Sequence, residues 1–548
     1  MCGIIGFRKS FSVTLGSQYD FLNSIRYRGP DDDGIADCGD YFFGHTRLSI
    51  LDLKGGAQPM EREGSWICFN GEIYNHEILR KELIADDVNF KTTSDTEVIL
   101  AGYLKHGISF FERLNGMFAF GIWDRRDQSL ILARDFFGIK PLYFSSELDF
   151  IFASNVTSIL TVLRECGHDL QVNQKSLENY LVNKFVRPEE LFNDKIREFP
   201  KGECWVLKEG VVTTKECIKS PDYVKIHSDT DILKHQIRME LEADVPVGVL
   251  LSGGVDSSVV SALASESKSI STFSLVFDEP EVDESSFSNQ VSSILKTTHR
   301  SIMVGESDLL ERMHEMIDVI DMPISDPAML PLLHLMSKIN GDVKVVLSGD
   351  GGDELYAGYT HHRILKYRRI FQTLAIVLMP FERSKYVSNR LGVVRNTLRR
   401  FESMEKAVDY DLNIGLNHIL LRKSDLCSMY YGIEMRVPFL NRQLYEKKRE
   451  NLQKENNILA NKLTLRWFLF RRFNWKIAFK RKQGFRVPLQ KWVTQGDLCE
   501  LIKSDLNSPH ALLEDTFDIR GYLTKPTTYY RELFDLYVLN QWLRKNKI

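Results

Sequence analysis

The sequence predicts an α+β domain followed by a doubly wound α/β domain whose C-terminal part is helical. Before about residue 210, short apolar segments alternate with turns, as in an antiparallel α+β domain. Beyond that point, apolar strands at 247–251, 270–277 and 343–347 alternate with helical patterns. This alternation is typical of a parallel sheet covered by helices on both faces. With 548 residues, the chain is long enough for two to four domains with sizeable cores.

Composition excludes several classes of protein. Hydrophobic residues make up 43% of the chain and charged residues 26%, as in soluble globular proteins. A formal net charge of −3 gives no argument for a nucleic-acid partner. The eight cysteines form no CxxC pair, which favours a reduced, cytoplasmic chain without a zinc ribbon. The longest apolar run, near 374–379, is far shorter than the ~20 residues of a membrane span.

The most informative stretch is 247–258, VGVLLSGGVDSS, which predicts a buried strand, a glycine turn and the start of a helix. Glycines at the turn allow a ligand to approach closely, and N–H groups at a helix start converge on an anion. The stretch also offers four polar side chains: Ser252, Asp256, Ser257 and Ser258. Asp256 fits a phosphate site only if Mg²⁺ bridges carboxylate and phosphate.

An ordinary turn of small residues is the plainer alternative, but strand, SGGVDSS and helix together favour a phosphate site. No Lys follows the glycines, so this is not a GxxxxGK[ST] loop. It resembles the pyrophosphate-binding loop of the PP-loop ATP pyrophosphatases, which split ATP between the α and β phosphates and transfer AMP.

A second acidic cluster follows the strand at 343–347 and has the sequence SGDGGDEL. Three acids among three glycines at the carboxyl end of a strand can hold a metal ion against polyphosphate. A solvated acidic loop is the alternative. The buried strand before it and the SGGVDSS stretch favour the metal site.

The chain begins Met-Cys, so removal of the initiator Met leaves Cys2 at the N-terminus. A terminal thiol can use its own α-amine as general base, because that amine titrates near neutrality. A buried thiol in a first strand over 2–7 is the alternative, which position alone favours.

Further polar residues are candidates for binding a small substrate. Arg47 ends a predicted strand and can take a carboxylate bidentately. Asn70 and Gly71 predict either a two-residue hairpin turn or a pair of oxyanion donors, with Glu72 placed to hold an amino group. Asp95 opens a helix, where a plain N-cap is the alternative role.

Seven segments of the first half support a resemblance: MCGI, RGPDDDG, HTRLSILD, FNGEIYN, SDTEVIL, GMFAFGIWD and GIKPLYF. Their order is that of the class II glutamine amidotransferases. Joined to SGGVDSS, they resemble the glutamine-hydrolysing asparagine synthetase family across nearly the whole chain. The resemblance implies an N-terminal-nucleophile (αββα sandwich) glutaminase domain over 2–210. An asparagine-synthetase-like ATP pyrophosphatase domain follows over 230–548, with the polar stretch 217–230 as linker.

For the first domain, the resemblance implies that Cys2 is the nucleophile that hydrolyses glutamine. Asn70 and Gly71 form the oxyanion hole. The implied glutamine-binding residues are Arg47, Asn70, Gly71, Glu72 and Asp95. Ammonia then passes through an internal channel to the second site.

For the second domain, the implied ATP- and pyrophosphate-binding residues are Leu250, Ser252, Gly253, Gly254, Asp256, Ser257, Ser258, Leu275, Ser348, Gly349 and Lys482. Asp256 and Asp353 are the implied Mg²⁺ ligands. Asp350 occupies the position of an acid, often Glu, that deprotonates the incoming ammonium or the tetrahedral intermediate. Lys482 is the cation for the α-phosphate; without the resemblance it is one more surface Lys.

Five positions depart from the family's pattern: Phe136, Asn155, Thr157, Leu426 and Asn441. The expected acceptor segment also carries no Lys or Arg from Asp321 until Lys338. A basic stretch over 361–400 predicts a solvated helical face, with contact to an anionic substrate or a membrane surface as the alternative. Its pair His361–His362 lacks metal-ligand spacing and is expected at the surface.

Three functions remain open at this point. The first is synthesis of asparagine from aspartate through β-aspartyl-AMP, giving AMP, pyrophosphate and glutamate. The second amidates another carboxylate, such as a sugar uronate or a natural-product acid. The third is a catalytically silent homologue, which the intact motifs argue against. The expected ligands are glutamine, ATP, Mg²⁺ and a small carboxylate acceptor, and a homodimer is the candidate assembly.

Overall fold

Three β-sheets organise the described part of the chain. The computed structural model describes residues 2–8, 21–168, 170–219, 226, 228–279, 283–368, 370–373, 385–453, 462–480 and 487–548. Two sheets, each with six antiparallel strands, lie before residue 218, and a five-stranded parallel sheet lies after it. Among these residues, no helix combines the length and the apolarity that a membrane crossing requires.

The first sheet has the strand order β10-β8-β9-β1-β3-β2 and the second β12-β11-β7-β6-β5-β4. Their bounds are β1 (Gly3–Arg8), β2 (Asp32–Asp37), β3 (Tyr41–Arg47), β4 (Met60–Arg62), β5 (Ser65–Ile73), β6 (Gly116–Asp124), β7 (Ser129–Arg134), β8 (Tyr143–Ser145), β9 (Ile151–Ala153), β10 (Arg197–Glu198), β11 (Glu203–Lys208) and β12 (Val211–Cys217). The helices of this region are α1 (His76–Ala85), α2 (Asp95–His106), α3 (Val156–Glu165), α4 (Gln174–Asn183) and α5 (Pro188–Leu191).

The two antiparallel sheets pack face to face, and helices cover their outer faces. Along β1, Ile4 joins the core between the sheets, whereas Ile5 joins the core beneath α3 and α4. Along β5, Cys68 faces the inner core and Phe69 faces α1 and α2. This alternation is the period-two pattern of a strand buried on both faces. The αββα sandwich is therefore confirmed.

The parallel sheet has the order β15-β14-β13-β16-β17. Its strands are β13 (Val247–Leu250), β14 (Ser271–Phe277), β15 (Thr298–Val304), β16 (Val345–Leu347) and β17 (Glu434–Arg436). The order reverses between β13 and β16, and ligands of doubly wound sheets bind outside such a switch point. The SGGVDSS stretch follows β13 and the SGDGGDEL stretch follows β16, so both predicted phosphate loops meet there.

Helices surround this sheet and form the C-terminal part, as predicted. Those that follow β12 are α6 (Asp229–Glu240), α7 (Val255–Ser265), α8 (Ser285–Leu295), α9 (Glu306–Val319), α10 (Met329–Ile339), α11 (Gly352–Leu355), α12 (Thr360–Lys366), α13 (Lys385–Arg400), α14 (Met404–Tyr410), α15 (Arg422–Tyr430), α16 (Arg442–Gln453), α17 (Leu463–Arg472), α18 (Trp475–Ala478), α19 (Leu489–Thr494), α20 (Gly496–Leu506), α21 (Ala511–Glu514), α22 (Ile519–Thr524) and α23 (Tyr530–Lys545). A π-helical segment, Asp411–Leu421, leads into α15.

Local expectations from sequence differ from the structure at three places. Asn70 and Gly71 do not form a hairpin turn; they lie inside β5, paired with β6. The N-cap of α2 is Ser94, whose side chain accepts a hydrogen bond from the Thr96 N–H, so Asp95 is free for another role. The surface placement of His362 is wrong, because its side chain is buried against Asp411.

The residues that depart from the family's pattern have structural contacts. Asn155 caps α3 by accepting from the Ser158 N–H at 2.9 Å. Asn441 accepts from the Leu444 N–H at the start of α16. The Phe136 ring packs against Tyr445 with its centroid 5.3 Å away and the ring planes tilted by 59°, and Leu426 is buried in α15. Of the polar stretch 217–230, predicted as a linker, positions 220–225 and 227 lie outside the described residues.

Candidate active sites

Cys2 lies at the start of β1, and its side chain is buried in a cavity between the sheets' ends and the second domain. The Cys2 N–H donates to Asn70 Oδ1 at 3.0 Å, which ties the chain start to β5. Once Met1 is removed, the same nitrogen is the α-amine, so Asn70 orients the group expected to act as base. Burial raises the pKa of the Cys2 thiol, which therefore depends on that base for deprotonation.

Asn70 and Gly71 lie inside β5 rather than at a turn, and their role as oxyanion donors stays a prediction. The Asn70 Nδ2 group is buried and has no hydrogen-bond partner among the described residues. Gly71 has φ +153°, and a Cβ at this position would lie 2.0 Å from the Met117 carbonyl oxygen. Only glycine fits there, because a side chain would collide with the neighbouring strand. The Gly71 N–H and the Asn70 side-chain amide can thus both point toward Cys2.

Arg47 ends β3 and lines the same cavity. Its guanidinium donates to the carbonyl oxygens of Leu51, Asp52 and Leu53 at 3.2, 2.7 and 3.3 Å. These three hydrogen bonds hold the loop 51–53, which forms one wall of the Cys2 cavity. The contact between Arg47 and a substrate carboxylate stays a prediction.

Glu72 and Asp95 provide negative charge at the opposite wall, and both are buried. Asp95 Oδ2 accepts from the Ile73 N–H at 3.0 Å, and Glu72 Oε2 accepts from Arg436 at 3.2 Å. Glu72 Oε1 has no hydrogen-bond partner among the described residues. Burial raises the pKa of both carboxyl groups, so a cation placed beside them would stabilise their ionised forms.

The predicted residues of the first site thus come together. Those that line the cavity are Cys2, Arg47, Gly71, Glu72 and Asp95. Asn70 reaches the site through its bond to Cys2. Sequence reasoning missed Glu434, which lines the cavity from the second domain, and Arg436, which contacts Glu72. Both lie in strand β17, far along the chain from Cys2, so no local pattern in the sequence assigns them to the first site.

The second site is a cavity of about 490 Å³ at the switch point of the parallel sheet. The predicted residues that line it are Leu250, Ser252, Gly254, Asp256, Ser257, Leu275, Ser348, Gly349, Asp350 and Asp353. Gly253 and Ser258 do not line it. Gly253 has φ +72° and lies against Phe287, and Ser258 is fully buried in α7. Lys482 lies outside the described residues.

The SGGVDSS turn has the expected form of an anion site. Helix α7 begins after Gly254, and the hydroxyls of Ser252 and Ser257 lie 3.0 Å apart. The N–H groups of the first helical turn therefore lie at the cavity beside two hydroxyl groups, as a helix start that binds an anion requires. Gly253 shapes the turn through its positive φ.

The two phosphate loops are packed against each other through glycines. A Cβ on Gly352 would lie 2.7 Å from Asp256 Cγ, and one on Gly349 would lie 2.9 Å from the Ser257 nitrogen. Side chains at either position would separate the loops. The close packing brings Asp256 and Asp353 to the same point of the cavity.

A lysine that sequence reasoning did not single out lies between these carboxylates. The Lys462 ammonium forms ion pairs with Asp256 and with Asp353, and its side chain is buried. A cation is thus already held where Mg²⁺ was expected, and oxygen ligands of this kind suit Mg²⁺. The donor set therefore fits the metal. Lys462 directly precedes helix α17, and no local pattern in the sequence marks it as a partner of the two carboxylates.

The cavity has a cation beside the segment from Asp321 to Lys338, which was expected to shape the acceptor pocket. Lys423, from α15, forms an ion pair with Asp326 at 2.8 Å, and both side chains line the cavity. Next to it, the Ser424 hydroxyl donates to Asp350 Oδ2 at 3.0 Å. The missing positive charge thus comes from a different element of the fold.

Helix α15 also connects the two sites. Arg28 donates to the Cys2 carbonyl oxygen at 3.2 Å and forms a two-point ion pair with Asp425 at 2.7 and 3.0 Å. Asp425 follows Ser424, which contacts Asp350. A continuous set of contacts therefore runs from the thiol site to the acidic loop of the nucleotide site.

These two sites define the class of protein: a thiol amidotransferase centre joined to a PP-loop nucleotide site. A family model described as a glutamine amidotransferase domain matches residues 1–218, and a model described as asparagine synthase matches residues 230–544. The second match spans more than half of the 548 residues, so the chain belongs to the asparagine synthase family.

Several curated relatives extend over both halves. Glutamine-hydrolyzing asparagine synthetase 1 of Bacillus subtilis is 29% identical, with 90% of this chain and 88% of the relative covered. Glutamine-hydrolyzing asparagine synthetase 3 of the same organism is also 29% identical, covering 81% and 80%. Glutamine-hydrolyzing asparagine synthetase B of Escherichia coli is 31% identical, covering 66% and 65%.

Proposed function

We propose that the chain is a glutamine-hydrolysing asparagine synthetase with two catalytic domains, residues 2–210 and 230–548. Glutamine is hydrolysed at Cys2, and the ammonia released amidates an aspartate carboxyl group activated by ATP. The products are asparagine, AMP, pyrophosphate and glutamate.

One observation carries this proposal: the thiol site and the nucleotide site are joined by direct contacts through α15. Arg28 contacts Cys2 and Asp425, while the adjacent Ser424 contacts Asp350. Two unrelated activities in one chain would not need this connection. It suits a reaction in which the product of one site is the substrate of the other.

In the first half-reaction, the α-amine of Cys2 accepts the thiol proton and the thiolate attacks the carboxamide carbon of glutamine. The Asn70 amide and the Gly71 N–H stabilise the oxyanion that develops on the carboxamide oxygen. The α-ammonium of Cys2 then gives its proton to the leaving nitrogen as the intermediate collapses, which releases ammonia and leaves a thioester. Water then attacks the thioester carbonyl, releasing glutamate and regenerating the thiol.

In the second half-reaction, the SGGVDSS turn holds the pyrophosphate portion of ATP through N–H and hydroxyl groups. The acceptor carboxylate attacks the α-phosphorus, forming the acyl adenylate and releasing pyrophosphate. Ammonia attacks the acyl carbon, and Asp350 takes the proton that the nitrogen loses. AMP leaves as the amide forms.

Asp256 and Asp353 are the proposed ligands of Mg²⁺, which when bound neutralises phosphate charge. The Lys462 ammonium would compete with bound Mg²⁺ for these two carboxylates. The ammonium could then contact the phosphates instead. Lys482 stays a proposal for the α-phosphate. No geometry is assigned to it.

The cavity favours an amino-acid acceptor over a sugar uronate. Lys423 offers a cation for the α-carboxylate, and Asp326 beside it offers an anion for the α-ammonium. A uronate has no ammonium group to match Asp326. The relatives named above, all asparagine synthetases, favour the same choice.

Product analysis tests the proposal directly. Purified protein receives Mg-ATP, glutamine and aspartate, and AMP, pyrophosphate, glutamate and asparagine are measured together. We expect asparagine and AMP in equal amounts. Formation of AMP without asparagine would reject aspartate as the acceptor, and Asp256→Ala should stop AMP formation while glutamate formation continues.

A further inference from the structure

Strand β17 belongs to the parallel sheet, yet its two charged side chains reach the thiol site. Glu434 lines the cavity that holds Cys2, Glu72 and Asp95. Both Glu434 and Arg436 are fully buried. Charged residues are rarely buried to this degree unless they are paired or bind something charged.

The guanidinium of Arg436 is held from three sides. It donates to Glu434 Oε1 at 2.6 Å and to Glu72 Oε2 at 3.2 Å. Its remaining Nη group donates to the carbonyl oxygens of Glu240 and Glu242 at 2.6 and 2.8 Å. Arg436 therefore fixes the positions of a carboxylate from each domain, Glu72 and Glu434.

The backbone of Arg436 contacts the other site. Its carbonyl oxygen accepts from the Ser348 N–H at 2.8 Å, where the SGDGGDEL loop begins. One residue thus contacts Glu72 through its side chain and the nucleotide loop through its backbone. A shift of β17 would therefore change the contact with Glu72 and the contact with the nucleotide loop together.

Acidic side chains outnumber basic ones around the thiol cavity. Glu72, Asp95 and Glu434 face it, while Arg436 pairs with two of the three. The other nearby cation, Arg47, is engaged by loop carbonyls. Glu72 Oε1 has no hydrogen-bond partner among the described residues. A buried carboxylate oxygen in such surroundings fits a ligand that brings an ammonium group.

We propose that Glu434 is a third carboxylate for the α-ammonium of glutamine, supplied by the second domain. Arg436 is a positioning residue that holds Glu72 and Glu434. Through Arg436, binding of the ammonium group at these carboxylates is coupled to the nucleotide loop that begins at Ser348. This rests on the proposed function only in naming glutamine as the ligand. The glutamine site is then complete only when both domains are packed together.

The first test uses Glu434→Gln, which keeps the shape of the side chain and removes its charge. Glutamate release from L-glutamine is compared with hydrolysis of glutaramate, the same carboxamide without the α-ammonium. We expect the KM for glutamine to rise about tenfold, since a bond to a charged group is worth about 1.4 kcal/mol or more. The KM for glutaramate should change by less than about threefold.

An unchanged KM for glutamine, or equal changes for both substrates, would overturn the role of Glu434. If Glu434→Gln does not fold, Glu434→Asp keeps the charge but withdraws it from the cavity and gives the same comparison. Glu240→Gln is the matched control. Its side chain is equally buried but does not line the cavity, so both KM values should stay at the wild-type level.

The second test addresses Arg436. In the wild type, Mg-ATP with aspartate should lower the KM for glutamine; Arg436→Met should remove this response, and Arg436→Lys should restore part of it. A wild-type KM that does not respond to Mg-ATP would overturn the connection. Ammonia-dependent AMP formation is measured in parallel: its absence in the wild type rejects the proposed synthetase, while the comparison of glutamine with glutaramate still tests Glu434.

Discussion

Cys2 has a position that an ordinary buried thiol would not need. Its nitrogen is bound by Asn70 and its carbonyl oxygen by Arg28, so Cys2 is held at both ends of its backbone. The plainer interpretation, a thiol that merely packs in a first strand, accounts for neither contact. The nucleophile hypothesis accounts for both, because attack needs a fixed amine beside a fixed thiol.

Cys2→Ala should therefore separate the two half-reactions. We expect glutamine-dependent AMP formation to fall at least about a thousandfold, because the covalent step is lost. Ammonia-dependent AMP formation should stay within about twofold of wild type, because Cys2 does not line the nucleotide cavity. Both rates are measured by AMP release with saturating Mg-ATP and aspartate. Equal loss of the two would show that Cys2 serves the second site as well.

The pKa of Glu72 predicts how glutamine binding depends on pH. Burial and the Asp95 charge raise the Glu72 pKa, and Glu434 adds to this while Arg436 opposes it. The glutamine ammonium needs the ionised carboxylate, so below the raised pKa binding must expel a proton. Affinity should therefore rise with pH, by at most about tenfold per pH unit for one proton.

Calorimetry of the Cys2→Ala variant with glutamine between pH 6 and 8 measures this without catalysis. Titrations in buffers of different ionisation enthalpy should detect proton release at the lower pH, a release that Glu72→Gln reduces. Proton uptake on binding would contradict the assignment of Glu72 to the ammonium group.

At the scale of elements, the loops after β13 and β16 are held together by one lysine. Lys462 pairs with Asp256 and Asp353 in a buried position. Lys462→Met should destabilise the nucleotide-free protein by about 3–5 kcal/mol, because two carboxylates lose the cation between them. Mg²⁺ should then raise the Tm of the variant more than that of the wild type.

The control is Lys503→Met, which removes a pair with Glu500 at the surface. Exposed pairs contribute about 0–1 kcal/mol, so its Tm should hardly change. An equal Mg²⁺ response in wild type and Lys462→Met, measured by calorimetry, would count against Asp256 and Asp353 as the metal ligands.

Elements with a strong local signal were predicted correctly from the sequence, and residues that act across domains were not. The apolar run before SGGVDSS predicted β13, since a buried parallel strand has a recognisable composition. The Asn-Gly pair suggested a hairpin, but pairing of β5 with β6 overrides that local preference. Glu434, Arg436 and Lys462 owe their roles to contacts far away in sequence, about which local patterns carry no information.

At the scale of the whole molecule, the interface between the domains is part of both sites. Arg28 and Asp425 form a buried ion pair across it, and Arg436 pairs with Glu72 at a second point. Buried pairs of this kind add little stability compared with apolar residues, but they specify one arrangement of their partners. The domains are therefore packed in a way that positions catalytic groups rather than only burying surface.

Asp425→Asn tests whether this arrangement couples the two reactions. The substitution keeps the size of the side chain but weakens the hold on Arg28, which contacts Cys2. Glutamate release and ammonia-dependent AMP formation should each stay within about threefold of wild type, because neither cavity loses a group that contacts its substrate. The AMP formed per glutamate released should fall well below the wild-type ratio, because ammonia made at Cys2 escapes before it reaches Asp350.

Isotope labelling measures the transfer of ammonia between the two sites independently. With amide-labelled ¹⁵N-glutamine and unlabelled ammonium present together, the wild-type product should carry mostly ¹⁵N, and the Asp425→Asn product should carry more unlabelled nitrogen. Asp505→Asn is the matched control, since Asp505 is a similarly buried partner of Arg544 at 3.0 Å, far from Cys2 in the C-terminal helices. If Asp425→Asn and Asp505→Asn gave the same labelling as wild type, the Arg28–Asp425 pair would be structural only. Transfer of ammonia would then have to follow a route that does not depend on α15.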